Sequence, residues 1–268
     1  MREILNGKVI RQKGSIVMKL KNKKIIVTGG SSGMGAAAIK VFSKEGAEIV
    51  SVDINLPKNF DRLQGVTYLE GDISNQLEIR EKIKKAVEIM GGVDSLFNIA
   101  GINNFIPTLE ISEDALDRIL SVNVKGVFYS CQAVYPFLKE RGGSIINFGS
   151  QASYHPGPDS AHYAASKAAV ESFTTKIAWE WGKHKIRANT VWPSAWTPLF
   201  ENTVLNGKDT TAEQRKNIQD SMSDHFALGY LGDPEEDISP ALVFLASDDS
   251  KYITGQVIPI NGGSAMVH

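Results

Sequence analysis

Cysteine is nearly absent: Cys131 is the only one in 268 residues, so no disulfide can form within the chain. Its neighbours Val127, Phe128, Tyr129 and Ser130 are mostly apolar, which favours a buried, inert thiol over a nucleophile. No run of about eighteen apolar residues occurs, so no transmembrane helix is expected. Excess charge is lacking too. A net charge of −1 provides no field to recruit nucleic acid or a membrane surface. The five histidines, His155, His162, His184, His225 and His268, show no ligand spacing, and no metal is expected. His162 reads as a loop or surface residue. With 42% hydrophobic and 22% charged residues, the remainder is ordinary globular composition, and the cytoplasm is the default location.

No secretory leader is expected either. The first two dozen residues carry Arg2, Lys8, Arg11, Lys13, Lys19, Lys21, Lys23 and Lys24 against one acid, Glu3, with no apolar core segment. Residues 1–18 therefore read as a solvated, poorly packed basic extension, and residues 19–268 as one domain.

What is present is alternation. Apolar, β-branched runs at 24–28, 47–53, 66–70, 93–98, 144–148, 186–191 and 256–260 predict strands. Amphipathic stretches at 36–44, 75–90, 115–120 leading into 124–138, 163–181, 212–222 and 234–246 predict helices. Seven strands alternating with helices imply an α/β, doubly wound Rossmann-type domain with a parallel sheet covered on both faces.

Two stretches carry chemistry. Tyr163 and Lys167 are four residues apart at the start of the longest helical run, so they share a helix face. An ammonium beside a phenol stabilises phenolate and makes the hydroxyl a usable acid or base. The first strand breaks into Gly29-Gly30-Ser31-Ser32-Gly33-Met34-Gly35 before a helix, the arrangement that brings backbone up to a pyrophosphate. Asp53 ends the second strand, where an acid accepts from an adenosine ribose hydroxyl and repels a 2′-phosphate. NAD is favoured over NADP.

Together these residues resemble the short-chain dehydrogenase/reductase family from about residue 20 to 263. Thr28-Gly29-x3-Gly33-x-Gly35 is similar to the family's glycine turn, in which Ser31, Ser32 and Met34 would also meet the cofactor. Asp72 and Ile73 sit where the family holds the adenine. Asn98-Ile99-Ala100-Gly101 matches NNAG with Ile for the second Asn. Asn123 resembles the active-site Asn, and Ser150, thirteen residues before Tyr163, the catalytic Ser.

The resemblance implies roles. Tyr163 would exchange the proton, and Lys167 would lower its pKa and hold the nicotinamide ribose. Ser150 would bind the substrate oxygen, and Asn123 would shape a water path from Lys167. Pro193 and Thr197 would meet the carboxamide, although Pro193-Ser194-Ala195-Trp196-Thr197 departs from the usual Pro-Gly-x3-Thr. Gln151, His155 and Trp196 would touch substrate. Trp192, Trp196, Phe200 and Tyr154 suit an apolar pocket for a hydroxysteroid-like alcohol or, equally, a core or subunit interface, and residues 199–226 suit a lid or a helix pair packed on the core edge. A sugar or polyol, or a 3-oxoacyl thioester, is the alternative. In a different class stands a non-catalytic dinucleotide-binding module, which would not need Ser150, Tyr163 and Lys167 together. The resemblance also implies a homotetramer or homodimer built on the helices at 124–138 and 163–181. Met18 reads as an alternative start. A chain beginning there is expected to fold and stay active, as urea unfolding and turnover would show.

Overall fold

The computed structural model describes residues 18–58, 61–205 and 211–266, plus two two-residue strands, Ile4–Leu5 paired antiparallel with Lys8–Val9. The rest of the basic extension lies outside the described residues, as does Lys208 of the segment expected as a lid. Seven strands form the main sheet: β1 (Lys24–Thr28), β2 (Glu48–Asp53), β3 (Val66–Glu70), β4 (Ser95–Asn98), β5 (Gly143–Phe148), β6 (Ile186–Pro193) and β7 (Val257–Ile260). Every pairing is parallel, in the order β3-β2-β1-β4-β5-β6-β7.

The helices are α1 (Gly33–Lys44), α2 (Gln76–Met90), α3 (Glu113–Leu120), α4 (Val127–Leu138), α5 (Ala161–Trp181), α6 (Pro198–Leu205), α7 (Ala212–Met222) and α8 (Ser239–Ala246). Local chemistry sets several of their ends. Asn75 caps α2 by accepting from the Leu77 and Glu78 amides, and Gly91 ends it in the left-handed region. Thr211 and Gln214 close a reciprocal capping box on α7. Two departures from the sequence reading appear. Residues 198–205 form α6, outside the helical stretches read from periodicity but within the helix-pair reading of 199–226, and 234–246 divides into a π turn at Pro234–Ile238 followed by α8.

Because strands alternate their side chains, the sheet buries two apolar faces. Ile26, Val50 and Leu96 pack with Ile79, Ile83, Val134 and Ile177 of the helices on one side. Ile25, Val27 and Phe97 pack with Ile39, Phe42 and Leu242 on the other. The Phe42 and Phe97 rings lie 4.7 Å apart. Cys131 is buried in the first of these cores, as expected, and burial pushes its thiol up to about 12.

Strand order reverses between β1 and β4, which opens a crevice at the strands' carboxyl ends. The β1–α1 turn enters it at close quarters. A Cβ on Gly35 would lie 2.0 Å from the Gly29 carbonyl oxygen, and one on Gly29 would lie 2.6 Å from the Ala100 backbone. Gly29 also has φ +76°, a region that side chains disfavour. Gly35→Ala is therefore expected to cost at least about 1–3 kcal/mol through overpacking, read as a lower urea midpoint; an unchanged midpoint would contradict this packing.

Candidate active site

The crevice is a cavity of about 710 Å³. One end is built by the β1–α1 turn. Gly29, Ser32, Gly33, Met34 and Gly35 line it, with Asp53 from the end of β2, Asp72 and Ile73 after β3, and Ala100 and Gly101 after β4. Helix α1 begins here with no side-chain cap and no acid in its first turn, so its amides face the cavity unneutralised. The Ser31 hydroxyl is buried beside it without a protein partner. An open helix amino end, an orphaned hydroxyl and a turn that only glycine can make fit a pyrophosphate. Asp53 accepts from the Ser31 amide at 3.0 Å and the Asn55 amide at 3.1 Å. Those bonds orient its carboxylate at the cavity wall, with acceptor capacity left over. The residues present fit a dinucleotide.

At the other end, Ser150 follows β5, while Tyr163 and Lys167 stand on α5. All three line the cavity, and Ser150 hydrogen-bonds the Tyr163 phenol. Lys167 is 5% exposed, donates to the Phe148 carbonyl oxygen at 2.7 Å and lies 5.6 Å from the Tyr163 ring centre. Burial pulls its ammonium down from 10.5 to about 8, opposed by the charge of Glu171. Tyr163 departs from the sequence expectation. Burial raises the phenol above 10, and the Ser150 hydrogen bond opposes this only in part. Spacing revealed the ammonium but not the desolvation, which disfavours phenolate until further positive charge arrives.

Asn123 lies in a π turn, Ser121–Gly126, that joins α3 to α4. Its side chain accepts from the Ile102 amide and donates to the Ile102 carbonyl, each at 2.9 Å, and donates to Ser166 at 3.1 Å. This buried clasp fixes the irregular segment that leaves Gly101. A π bulge at a functional residue is a recurrent device.

The remaining expected residues divide. Gln151, His155, Pro193 and Thr197 line the cavity. Ser31 meets it through its amide contact to Asp53 rather than as a wall residue. The Asn98 side chain lies beneath the site instead, donating to Asn147 at 2.8 Å and to Cys131 at 3.3 Å. The expected aromatic pocket does not assemble. Trp192 is buried and donates to Glu171, Tyr154 is 72% exposed, and Trp196 packs edge-on against Phe200 outside the lining. Of the four, only Phe200 faces the cavity. The altered 193–197 loop is held by neighbours: the Trp196 amide donates to Gly232 and the Ser194 amide to Ile260. His162, expected at the surface, is buried on α5 and bonded to Asn104 at 2.7 Å. Asn103, Phe105, Arg118 and Leu231 reach the cavity unforeseen, since no local motif marks them, and Met222 reaches it from the segment expected as a lid.

The comparisons with known proteins agree with this fold. The family model for enoyl-(acyl carrier protein) reductase matches residues 29–265. The chain belongs to the short-chain dehydrogenase/reductase family. It is an oxidoreductase of CH–OH groups. A 3-oxoacyl-[acyl-carrier-protein] reductase of Thermotoga maritima is 35% identical over 92% of this chain and 99% of that protein. A meso-2,3-butanediol dehydrogenase of Serratia marcescens is 32% identical over 92% and 96%. A 3-ketoacyl-(acyl-carrier-protein) reductase of Brucella melitensis, solved with NADH, superposes with a TM-score of 0.81 at 28% identity, covering 92% of this chain and all of that one. The cofactor class of this short-chain dehydrogenase/reductase is accordingly a nicotinamide dinucleotide. Among the described residues no helix is long and apolar enough to cross a membrane.

The buried ammonium makes a prediction for the cofactor-free protein. Lys167 stays protonated above pH 8 when unfolded but not when folded, so stability rises with pH between about 8 and 10.5. At pH 7 both states hold the proton, and burial costs about 3 kcal/mol by the 1.36 kcal/mol per pH conversion. Lys167→Met should therefore be more stable than wild type at pH 7, by up to that amount. The difference should shrink toward pH 10.5 in urea titrations.

Proposed function

We propose that this short-chain dehydrogenase/reductase uses NAD to interconvert a secondary alcohol and a ketone through Ser150, Tyr163 and Lys167, with Asn123 supporting them. The observation that carries the reading is the convergence of those three side chains on one wall of a cavity whose far end is an open helix amino terminus. A bound nicotinamide dinucleotide would give or take the hydride. Tyr163 gives its phenolic proton to the forming alkoxide in reduction and accepts it back in oxidation. Ser150 donates to the same oxygen and steadies the charge developing there. The Lys167 ammonium, anchored on the Phe148 carbonyl, favours phenolate and is placed to hold the ribose hydroxyls. Asn123 keeps the Ile102 backbone in line and, by resemblance, shapes the water path that reprotonates Lys167.

Preference for NAD rests on Asp53, whose fixed carboxylate would bind ribose hydroxyls and repel a 2′-phosphate. A compact, polar substrate is favoured over a fused-ring one. Gln151 lines the substrate end and is fixed through its side-chain oxygen, which accepts from Ser264 at 2.7 Å and Asn261 at 3.4 Å. The Asn103 side-chain oxygen, buried and without a protein partner, adds an acceptor nearby. A ketone bearing a neighbouring hydroxyl or carbonyl suits these groups, and so do the diol and 3-oxoacyl substrates in the names of the two relatives. Exposed Phe128 on α4 and Trp179, 91% exposed on α5, support assembly into a dimer or tetramer through those helices.

Turnover of a panel of hydroxyketones, diols, aldoses, 3-oxoacyl thioesters and hydroxysteroids with NAD(H) and NADP(H) tests the reading. Activity confined to the compact polar members with NAD(H) is expected; activity confined to hydroxysteroids would return the fused-ring substrate. Tyr163→Phe should lower kcat at least about 10²-fold while leaving NADH affinity nearly unchanged. Wild-type turnover by that variant would refute the mechanism. Asp53→Ala should weaken NADH binding and narrow the gap to NADPH.

A further inference from the structure

We propose that Glu171 is a positioning residue, whose carboxylate registers the Ser150 loop against the helix that carries Tyr163 and Lys167. The proposal rests on the reading of Ser150, Tyr163 and Lys167 as the proton-transfer set. Glu171 stands one turn beyond Lys167 and two beyond Tyr163 on α5, so the three share one stripe of the helix. One oxygen of its carboxylate accepts two short hydrogen bonds. The Trp192 indole donates at 2.6 Å, and the Ser153 hydroxyl lies at 2.6 Å as well.

Those partners belong to the two segments that complete the site. Ser153 ends the short 3-10 turn Gln151–Ser153 that Ser150 caps, with the Ser150 hydroxyl accepting from the Ala152 amide at 3.2 Å. The Ser153 hydroxyl is also 2.6 Å from the Ser150 carbonyl oxygen, so its one proton is shared between that carbonyl and Glu171. A displacement of Ser153 is therefore passed directly to Ser150. Trp192 is the penultimate residue of β6, just before the cofactor-side loop at Pro193.

Packing makes the same point independently. A Cβ on Gly149, the residue before Ser150, would meet the Glu171 oxygen at 2.7 Å, Thr190 Cγ2 at 2.6 Å and Trp192 Cδ1 at 3.1 Å. The carboxylate thus sits directly against the backbone that presents Ser150. Its charge also opposes the loss of the Lys167 proton that burial favours. A carboxylate serving only to satisfy a buried indole would need neither the Ser153 bond nor this place behind Lys167.

The test uses purified enzyme, NADH and whichever ketone of the panel the wild type reduces fastest. Glu171→Leu and Ser153→Ala are each expected to lower kcat about tenfold or more, because small displacements of reacting groups are costly. NADH affinity by fluorescence quenching should stay within about twofold, since the nucleotide end of the cavity is untouched. The double variant should lose no more than the worse single one, as expected for two residues acting through one bond. Glu171→Gln keeps an acceptor for both donors and should recover most of kcat. A folded Glu171→Leu enzyme with wild-type kcat, or additive losses in the double variant, would overturn the proposal. If Glu171→Leu does not fold, Ser153→Ala decides alone, and an unchanged kcat there overturns it. Tyr163→Phe separates the two readings. Turnover by that variant defeats the Ser-Tyr-Lys reading, whereas an inactive Tyr163→Phe beside fully active Ser153→Ala and Glu171→Leu defeats only the positioning role.

Discussion

A single buried ammonium constrains this structure more than any other group. Lys167 is 5% exposed, where charge is costly, and three contacts set its environment. The Phe148 carbonyl accepts its hydrogen bond, Tyr163 lies alongside, and Glu171 supplies opposite charge one turn on. Each contact comes from an element that the sheet must hold in place. Phe148 ends β5, and the helix bearing the others lies across β5 and β6. The ammonium can be buried at this point only because the backbone there is already fixed.

The opposite end of the cavity obeys a steric constraint rather than an electrostatic one. The β1–α1 turn passes so close to Ala100 and to its own Gly29 carbonyl that only glycines fit, and this closeness leaves the α1 amides open to the cavity. The two ends are coupled through the irregular segment leaving β4. Ala100 packs on the turn, and two residues later Ile102 is clasped by Asn123 from the π turn. Gly101 lies between them, where an added Cβ would stand 3.3 Å from the Asn123 oxygen and 3.5 Å from the Lys167 nitrogen. Nucleotide turn, Asn clasp and buried Lys thus form one connected wall.

Electrostatics orders the chemistry along that wall. The phenol is raised by burial and eased by Ser150, and the neighbouring lysine is drawn down toward neutrality by the same burial. Both groups are therefore shifted by burial toward their uncharged forms. Positive charge arriving beside Tyr163 is worth more there than in water, because little solvent remains to screen it.

By itself the sequence determined the alternation of strands and helices, the glycine turn, Asp53 at the second strand's end, and the Ser-Tyr-Lys spacing. These are local patterns: a period of two or 3.6 residues, a turn that needs glycine, a helix pair at i and i+4. Tertiary structure alone decided which side chains face the cavity. Trp192 and Tyr154 look alike as pocket candidates in sequence, yet one is buried against Glu171 and the other faces solvent. Asn98 belongs to a cofactor-binding motif, yet its side chain serves a buried network with Asn147 and Cys131. Arg118, Met222 and Leu231 enter the cavity from elements far apart in the chain. The direction of the Tyr163 shift belongs to the same class of fact. A one-dimensional spacing records the neighbouring charge, but desolvation depends on everything packed around the group.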